Sequence, residues 1–272
     1  MSQPPRVATA VAASSVDEHL FFGRRVFATL AGEHSYASLL SLAIRGEPLS
    51  AADSALLADL TTICTVADAR IWPMKACRLV ASHGGLLGGL AAGLVALGSP
   101  LIGPWRAYPA AGAILVDLGL AVDKGADLRE VVEKAAMAHS RLPGFGTPFR
   151  SADERLPPLA RAVARHGAGE RRYWRIFEAL ADAVRRLRGV EPNVASGAAA
   201  VVLDLGFDVD ELGAVGLCNA FHMFLAHARE GAAQRAPVLR QLPRDSVVYR
   251  GPRRRASPRA KRAAEAARGA GE

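Results

Sequence analysis

The segment Leu142-Pro-Gly-Phe-Gly-Thr-Pro-Phe-Arg-Ser-Ala-Asp-Glu-Arg155 is a turn signal of unusual density. Gly144 and Gly146 permit positive φ angles, and Pro143 and Pro148 prevent a helix from continuing on either side. Backbone in such a loop can approach a ligand closely, although an ordinary turn between two helices has a similar composition. The segment therefore predicts either a binding loop or a plain inter-helix connection.

Charged residues follow this loop directly. Arg150 and Arg155 can pair with a phosphate or a carboxylate, and Asp153 can orient one of them. The same pattern also fits a solvated helix start. Further on, Asn193 follows a proline and precedes an apolar run, so it is predicted as the N-cap of a helix.

The rest of the sequence is dominated by helical patterns. Apolar residues recur at intervals of three and four, and Ser50 with Asp53 and Asp208 with Glu211 resemble capping boxes. Gly206 is placed to end the helix before it. We predict an all-α fold with helices at 36–47, 51–63, 73–97, 108–121, 127–140, 156–188 with an interruption at 166–169, 194–205 and 208–230.

Length and composition exclude several classes of protein. The chain has 272 residues, half of them hydrophobic, which excludes a disordered or fibrous protein. Cys64, Cys77 and Cys218 are widely spaced, which indicates neither a disulfide framework nor a zinc site. We expect no bound metal and a reducing compartment, the cytoplasm.

The two ends differ in composition from the centre. Residues 253–272 hold seven Lys and Arg and two acidic residues of a chain whose net charge is +8, so a solvated, disordered basic tail is predicted. The tail is either a solubilising terminus or a contact for anions, and no motif indicates specific nucleic-acid binding. Residues 1–15 are predicted to be disordered and are a poor secretory signal.

One segment is long and apolar enough to be mistaken for a membrane span. Gly84 to Trp105 carries no charge, but it contains seven glycines together with Pro100 and Pro104. Because these residues disfavour a continuous spanning helix, we predict a buried, closely packed helix that ends near Gly98.

Taken in order, several segments resemble the citrate synthase superfamily, most closely its short members of the citryl-CoA lyase type. The loop at 144–155 resembles "GFGHPxxRxxDPR", with one residue missing near Phe149. The other segments are 34–50 ("SFAEVLYLLLTGELP"), 78–82 ("ARVVAS"), 103–104 ("GPLHGG"), 192–197 ("PNVDxxxG"), 203–207 ("LDLGF") and 242–252 ("IPDDEVEYVGP"). The resemblance implies an all-α homodimer with a large lobe (16–139 and 231–252) and a small lobe (140–230).

The resemblance also implies a reaction whose catalytic side chains are replaced in this chain. In the family an aspartate removes a proton next to a thioester, one histidine stabilises the enol and another polarises the acceptor ketone. Here the two histidines fall on Arg106 and Thr147, and the aspartate falls on Ala195. An earlier substrate histidine falls near Asp68, and an arginine of a late helix falls on Ala220, whereas His227 matches.

The binding residues of the family are better preserved. By resemblance, Gly144, Phe145 and Gly146 accept the pantetheine arm of coenzyme A. Arg150, Arg155, Asn193 and Arg240 lie where the family holds phosphates or a substrate carboxylate, with Arg240 reaching the site of the partner subunit. The ligands implied are an acyl-CoA thioester and a small carboxylate, with no covalently bound cofactor.

Two hypotheses remain from the sequence. In the first, the pocket is rebuilt for another carbon–carbon step on a thioester, with Arg106 stabilising an enolate or a carboxylate and Asp68 acting as acid or base. In the second, the chain is an inactive homologue that binds a CoA-like ligand or forms a mixed dimer with an active paralogue.

Overall fold

The computed structural model describes residues 7–65, 68–98, 104–138, 141–147, 151–234, 243–246, 248, 250–251 and 257–262. The chain divides into two compact units, Met1–Ala236 and Pro237–Glu272. The first unit contains the helices that the sequence predicts and a small sheet that it does not. The second contains a 3-10 turn at Arg244–Ser246.

Helices dominate the first unit, as predicted. The described α-helices are α1 (Tyr36–Arg45), α2 (Ala51–Ile63), α3 (Trp72–Ala96), α4 (Pro104–Asp123), α5 (Leu128–Ala138), α6 (Leu156–Arg165), α7 (Arg172–Arg188), α8 (Val194–Asp204) and α9 (Leu212–Ala233). The bounds of α2 and the interruption between α6 and α7 agree with the sequence prediction.

Local chemistry explains where the helices begin and end. The Ser50 hydroxyl accepts a hydrogen bond from the Asp53 amide at the start of α2, as the capping box predicts. Gly46 ends α1 in the left-handed conformation, two residues earlier than predicted. The prediction for α9 began too early, because residues 208–211 form a turn before the helix starts at Leu212.

A three-stranded antiparallel sheet near the N-terminus departs from the all-α pattern. Strands β1 (Ala12–Ser14), β2 (His19–Phe21) and β3 (Arg24–Arg25) pair in the order β1-β2-β3 and lead into a π-helical turn, Val26–Leu30. Strand β1 lies inside the segment 1–15 for which the sequence predicts disorder. Strands of two or three residues are too short to give a periodic pattern, so the sequence carries no signal for them.

Helix α8 lies at the centre of the main core. All residues from Val194 to Leu203 are buried, and α4, α7 and α9 pack around it. The Asp204 carboxylate accepts hydrogen bonds from the amides of Tyr173 and Trp174, both at 2.8 Å, and so ties the end of α8 to the start of α7. The main core includes residues on both sides of position 140, where the predicted small lobe begins, and the lobe boundary stays a prediction.

Helix α3 is less buried than the sequence predicts. It is long and apolar enough to cross a membrane by length and composition, yet only 22% of its most apolar window is buried. It packs against α9 through a second core that includes Met74, Cys77 and Phe224. Its other face leaves Leu87 and Val95 exposed. High apolar content therefore identified the helix but not what covers it.

The second unit also has order within a segment predicted to be disordered. Residues 258–262 form a short helix inside the basic tail 253–272. The Ser257 hydroxyl accepts a hydrogen bond from the Ala260 amide at 3.1 Å, which is the geometry of an N-cap. Capping therefore gives one helical turn to a segment that has no apolar face.

Candidate functional site

The glycine loop and the start of α8 form one hydrogen-bonded unit. The amide of Asn193 donates to the Gly144 carbonyl (2.8 Å), and its side-chain amide donates to the Gly146 carbonyl (2.9 Å). The Ser196 hydroxyl also donates to the Gly144 carbonyl (2.8 Å), and the Gly146 amide donates to the Glu191 carbonyl (2.7 Å). The sequence analysis considered the glycine loop and the Asn193 cap separately. The structure joins them through these hydrogen bonds.

Gly144 is required by this packing. Its φ is +82°, and a Cβ atom there would lie 2.6 Å from the Ser196 Cβ. Gly146 also has a positive φ, but a Cβ there would meet only Val190 at 3.8 Å. Position 144 therefore excludes a side chain by contact and by backbone conformation, whereas position 146 excludes one by conformation alone.

Asp153 connects the arginine of the loop to α8. Its carboxylate accepts two hydrogen bonds from the Arg155 guanidinium and one from the Val194 amide, each at 2.8 Å. The Asp153 side chain is 1% exposed and that of Arg155 is 31% exposed. Burial alone raises the pKa of Asp153, but the hydrogen bonds from Arg155 and Val194 outweigh it and hold that pKa below its usual value.

A buried tyrosine and a buried cysteine contact each other in the main core. The Tyr108 hydroxyl on α4 and the Cys64 sulfur at the end of α2 are 3.3 Å apart. Burial raises the pKa of both groups, and the charges of Arg155 and Asp153 act on both. The sequence analysis missed this pair, because 44 residues separate its members and nothing in the pattern connects them.

A second polar contact joins α2 to α9. The Thr65 hydroxyl is 2.7 Å from His222 Nε2, and the Thr61 hydroxyl donates to the Asn219 side-chain oxygen at 2.7 Å. Asn219 is buried, and its side-chain nitrogen has no hydrogen-bond partner among the described residues. The structure places His222, exposed, next to Thr65.

Thr147 and Ala195, two of the positions predicted to carry catalytic groups, lie on the two segments that Asn193 joins. Thr147 ends the glycine loop, and Ala195 lies in the first turn of α8, where its amide donates to the Asn193 side-chain oxygen at 2.9 Å. Arg106 is exposed in the first turn of α4, two residues before Tyr108.

Asp68 and the two positions of the late helix, Ala220 and His227, contact other residues. The Asp68 carboxylate accepts hydrogen bonds from the Arg70 side chain at 2.7 and 3.0 Å, in the turn before α3. Ala220 is buried in the core between α3 and α9, and His227 contacts Arg78.

Arg150 and Arg240, predicted to bind phosphate or carboxylate, lie outside the described residues. Within the described ranges, no group of three or more His, Cys, Asp and Glu side chains could hold a metal ion.

The sequence matches no protein-family model and no curated protein. The structure is similar to citryl-CoA lyase from Hydrogenobacter thermophilus, with a TM-score of 0.79 and 21% identity over 94% of this chain and 99% of that one. It is also similar to ATP citrate lyase from Methanothrix soehngenii, in complex with citrate and coenzyme A. The TM-score is 0.73 and the sequence identity 17%, over 96% of this chain and 43% of that one. A third similar structure is citrate synthase from Thermoplasma acidophilum, in a ternary complex with carboxymethyl-CoA and oxaloacetate. The TM-score is 0.61 and the sequence identity 22%, over 84% of this chain and 60% of that one.

We predict that Gly144→Ala destabilises the protein more than Gly167→Ala. Both glycines have positive φ, but a Cβ at 167 has nothing within 4 Å, whereas one at 144 collides with Ser196. The control should lose about 1 kcal/mol from backbone strain, and Gly144→Ala should lose about 1–3 kcal/mol more from the collision. Denaturant unfolding measures both, and equal losses would contradict the packing described.

We also predict that Asp153→Ala lowers the free energy of unfolding by about 3 kcal/mol at neutral pH, because it leaves Arg155 without its partner. The exposed Asp182→Ala, which breaks a surface pair with Arg185, should stay within about 0.5 kcal/mol. Because the pKa of Asp153 is lowered on folding, its contribution is complete above the pKa of the unfolded chain, about 4, and is lost as pH falls further. The difference in free energy of unfolding between wild type and Asp153→Ala should therefore become smaller in acid. A difference that stays constant down to about pH 2 would contradict this account.

Proposed function

We propose that this chain, which has the citrate synthase fold, binds an acyl-CoA thioester and a small carboxylate and makes or cleaves a carbon–carbon bond between them. The observation that carries the proposal is the glycine loop locked onto the start of α8 beside the Asp153–Arg155 pair. Solved structures with this fold contain coenzyme A together with citrate, and carboxymethyl-CoA together with oxaloacetate.

The loop supplies a surface for the thioester arm. Gly146 is partly exposed and has no side chain to shield its backbone, whereas Gly144 is buried against Ser196. Phe145 between them forms a bridge with Pro192 that fixes the loop. Asn193 holds the loop from the α8 side. Coenzyme A also carries phosphates, for which Arg150 and Arg240 remain the proposed contacts.

The carboxylate ligand is assigned to Arg155 and Arg106. Arg155 is held in a fixed orientation by two hydrogen bonds to Asp153, which suits bidentate binding of a planar anion. Arg106 is exposed and carries a guanidinium group, so it can hold an enolate or a carboxylate. Asp68, the proposed acid or base, is hydrogen-bonded to the Arg70 side chain.

The family's own reaction should be very weak or absent. The methyl group of Ala195 cannot remove a proton, and the hydroxyl of Thr147 is a poorer polariser than an imidazole. Loss of a general base alone typically costs about 10²- to 10⁴-fold in rate. Ala195 therefore favours a second candidate function, an inactive homologue that binds coenzyme A or serves as a partner subunit for an active paralogue.

A second copy of the chain is proposed to cover the exposed face of α3. Leu87 and Val95 on α3 and Phe221 and Leu225 on α9 are exposed apolar side chains on two helices that pack together. Gly85 interrupts α3 with non-helical angles, which suits a protein interface better than a lipid-facing span, where every backbone group needs a partner. A cytoplasmic homodimer fits this face and the three free cysteines.

The function is tested by measuring thiol release from acetyl-CoA with oxaloacetate, and cleavage of citryl-CoA, alongside binding of coenzyme A by thermal shift. We expect stabilisation by coenzyme A and turnover far below the usual enzyme range of about 1 to 10³ per second. Turnover inside that range would refute the loss of the family's reaction. Absence of any shift with coenzyme A would refute ligand binding and leave a structural partner role.

We predict that Leu87→Glu with Val95→Glu converts the purified protein from dimer to monomer, because buried charges at an interface core are strongly unfavourable. The matched control is Leu120→Glu, which places the same charge on an exposed leucine of α4. Light scattering after size exclusion measures the mass of each variant. A dimer that survives both α3 substitutions, or a wild type that is monomeric, would contradict the proposed interface.

A further inference from the structure

An open cavity lies between the N-terminal sheet and the start of α1. Its volume is about 690 Å³, which is within the range of sites that hold small molecules. Strands β1 and β2, the π-helical turn and residues between Ala31 and Leu39 line it. The described lining residues include none from the glycine loop, α4 or α8, so the cavity is separate from the candidate functional site.

The lining determines which kind of molecule can enter this cavity. The described lining residues include no Asp, Glu, Lys or Arg, and all but Ser14, His19 and His34 are Ala, Gly, Val, Leu or Phe. Such a lining favours an apolar molecule with one polar end. It disfavours a molecule with several charges, because each charge would lose its hydration without gaining a partner.

Hydrogen bonds fix the orientation and the tautomer of His34. Its Nδ1 atom lies 3.0 Å from the hydroxyl of Ser38, which is buried and donates its only hydrogen to the Leu49 carbonyl, also at 3.0 Å. Nδ1 is therefore the donor in the contact with Ser38. In the neutral ring Nε2 is then left as an acceptor, and no described residue forms a hydrogen bond with it.

The wall that the sheet contributes is held in place. The Glu18 carboxylate accepts hydrogen bonds from the amides of His19 (3.0 Å) and Phe27 (2.9 Å), and so joins β2 to the π-helical turn. The His19 ring packs edge-on against Phe27, and its Nδ1 atom lies 2.7 Å from the Ser14 hydroxyl. The cavity is therefore largely preformed, as small-molecule sites usually are.

We propose that this cavity binds an apolar monocarboxylate, whose carboxyl group pairs with His34 Nε2 and whose chain lies against the apolar lining. An imidazole acceptor suits this head group, because it accepts a hydrogen bond from the carboxylic acid or takes its proton and pairs with the carboxylate. His19 and Ser14 offer a second polar contact in the same cavity. The chain then carries a second ligand site, which does not depend on the proposed function.

The test measures the binding of octanoate to the full chain by isothermal titration calorimetry, beside two related ligands. Octanedioate has the same chain length but a second charge, for which the apolar lining has no partner. Octan-1-ol has the same chain without an acidic group. We expect octanoate to bind about 10-fold or more tightly than either ligand, because only octanoate combines one ionisable head with an apolar tail.

Two substitutions at one position test the contact with Nε2. His34→Asn removes Nε2 but keeps a side-chain amide near the position from which Nδ1 donates to Ser38. It should weaken octanoate binding about 10- to 100-fold, the effect of one hydrogen bond to a charged group. His34→Gln places an amide near the position of Nε2 and should recover part of that loss.

The matched control is His83→Asn. The Nδ1 atom of His83 also lies next to a serine hydroxyl, that of Ser82 at 2.8 Å, but His83 does not line the cavity. This substitution should leave the affinity for octanoate unchanged. Thermal unfolding of each variant without ligand should match that of the wild type, so that a lower affinity reports the lost contact and not a lost fold.

Three results would overturn the inference. They are absence of octanoate binding to the wild type, binding of octan-1-ol as tight as that of octanoate, and equal losses of affinity in His34→Asn and His83→Asn. Coenzyme A binding separates this inference from the proposed function. A wild type that binds octanoate but not coenzyme A would refute the proposed function and support this site.

Discussion

The site depends on one buried carboxylate. Asp153 accepts hydrogen bonds from two parts of the chain, Arg155 beside it and the Val194 amide at the start of α8, 41 residues further along the chain. A buried carboxylate is tolerated only when such donors offset the loss of its hydration. Because the donors come from a loop and from the central helix, the same bonds that stabilise the charge also fix the position of the arginine.

The glycine loop adds a second attachment at the same end of α8. Asn193 and Ser196 bind its carbonyl groups, and the absence of a side chain at Gly144 allows the approach. Helix α8 is buried on all sides, so its first turn cannot shift without disturbing the core. These bonds therefore fix the loop and Arg155 relative to the helix, which is the preorganisation that a ligand site needs.

The sequence was most informative where the determining chemistry is local. The capping box at Ser50 and the glycine at 206 marked the ends of helices, and the glycine loop with the Asn193 cap located both halves of the candidate site. Contacts between distant residues gave no such signal, which is why the Tyr108–Cys64 pair was missed. The prediction that α3 is buried was wrong for a related reason, since apolar content shows that a surface needs covering but not by what.

In the proposed correspondence with the family, the changes at the site have a consistent electrostatic direction. Ala195 removes a negative charge, and Arg106 introduces a positive charge. Each change makes the surroundings more favourable to an anion and less able to exchange a proton near neutral pH. A site of this kind can still lower the energy of a developing oxyanion, because that requires fixed donors and positive charge but no group that titrates. Chemistry that survives here should therefore draw its rate from electrostatic stabilisation, and the proton must be carried by the substrate, by water or by a second subunit.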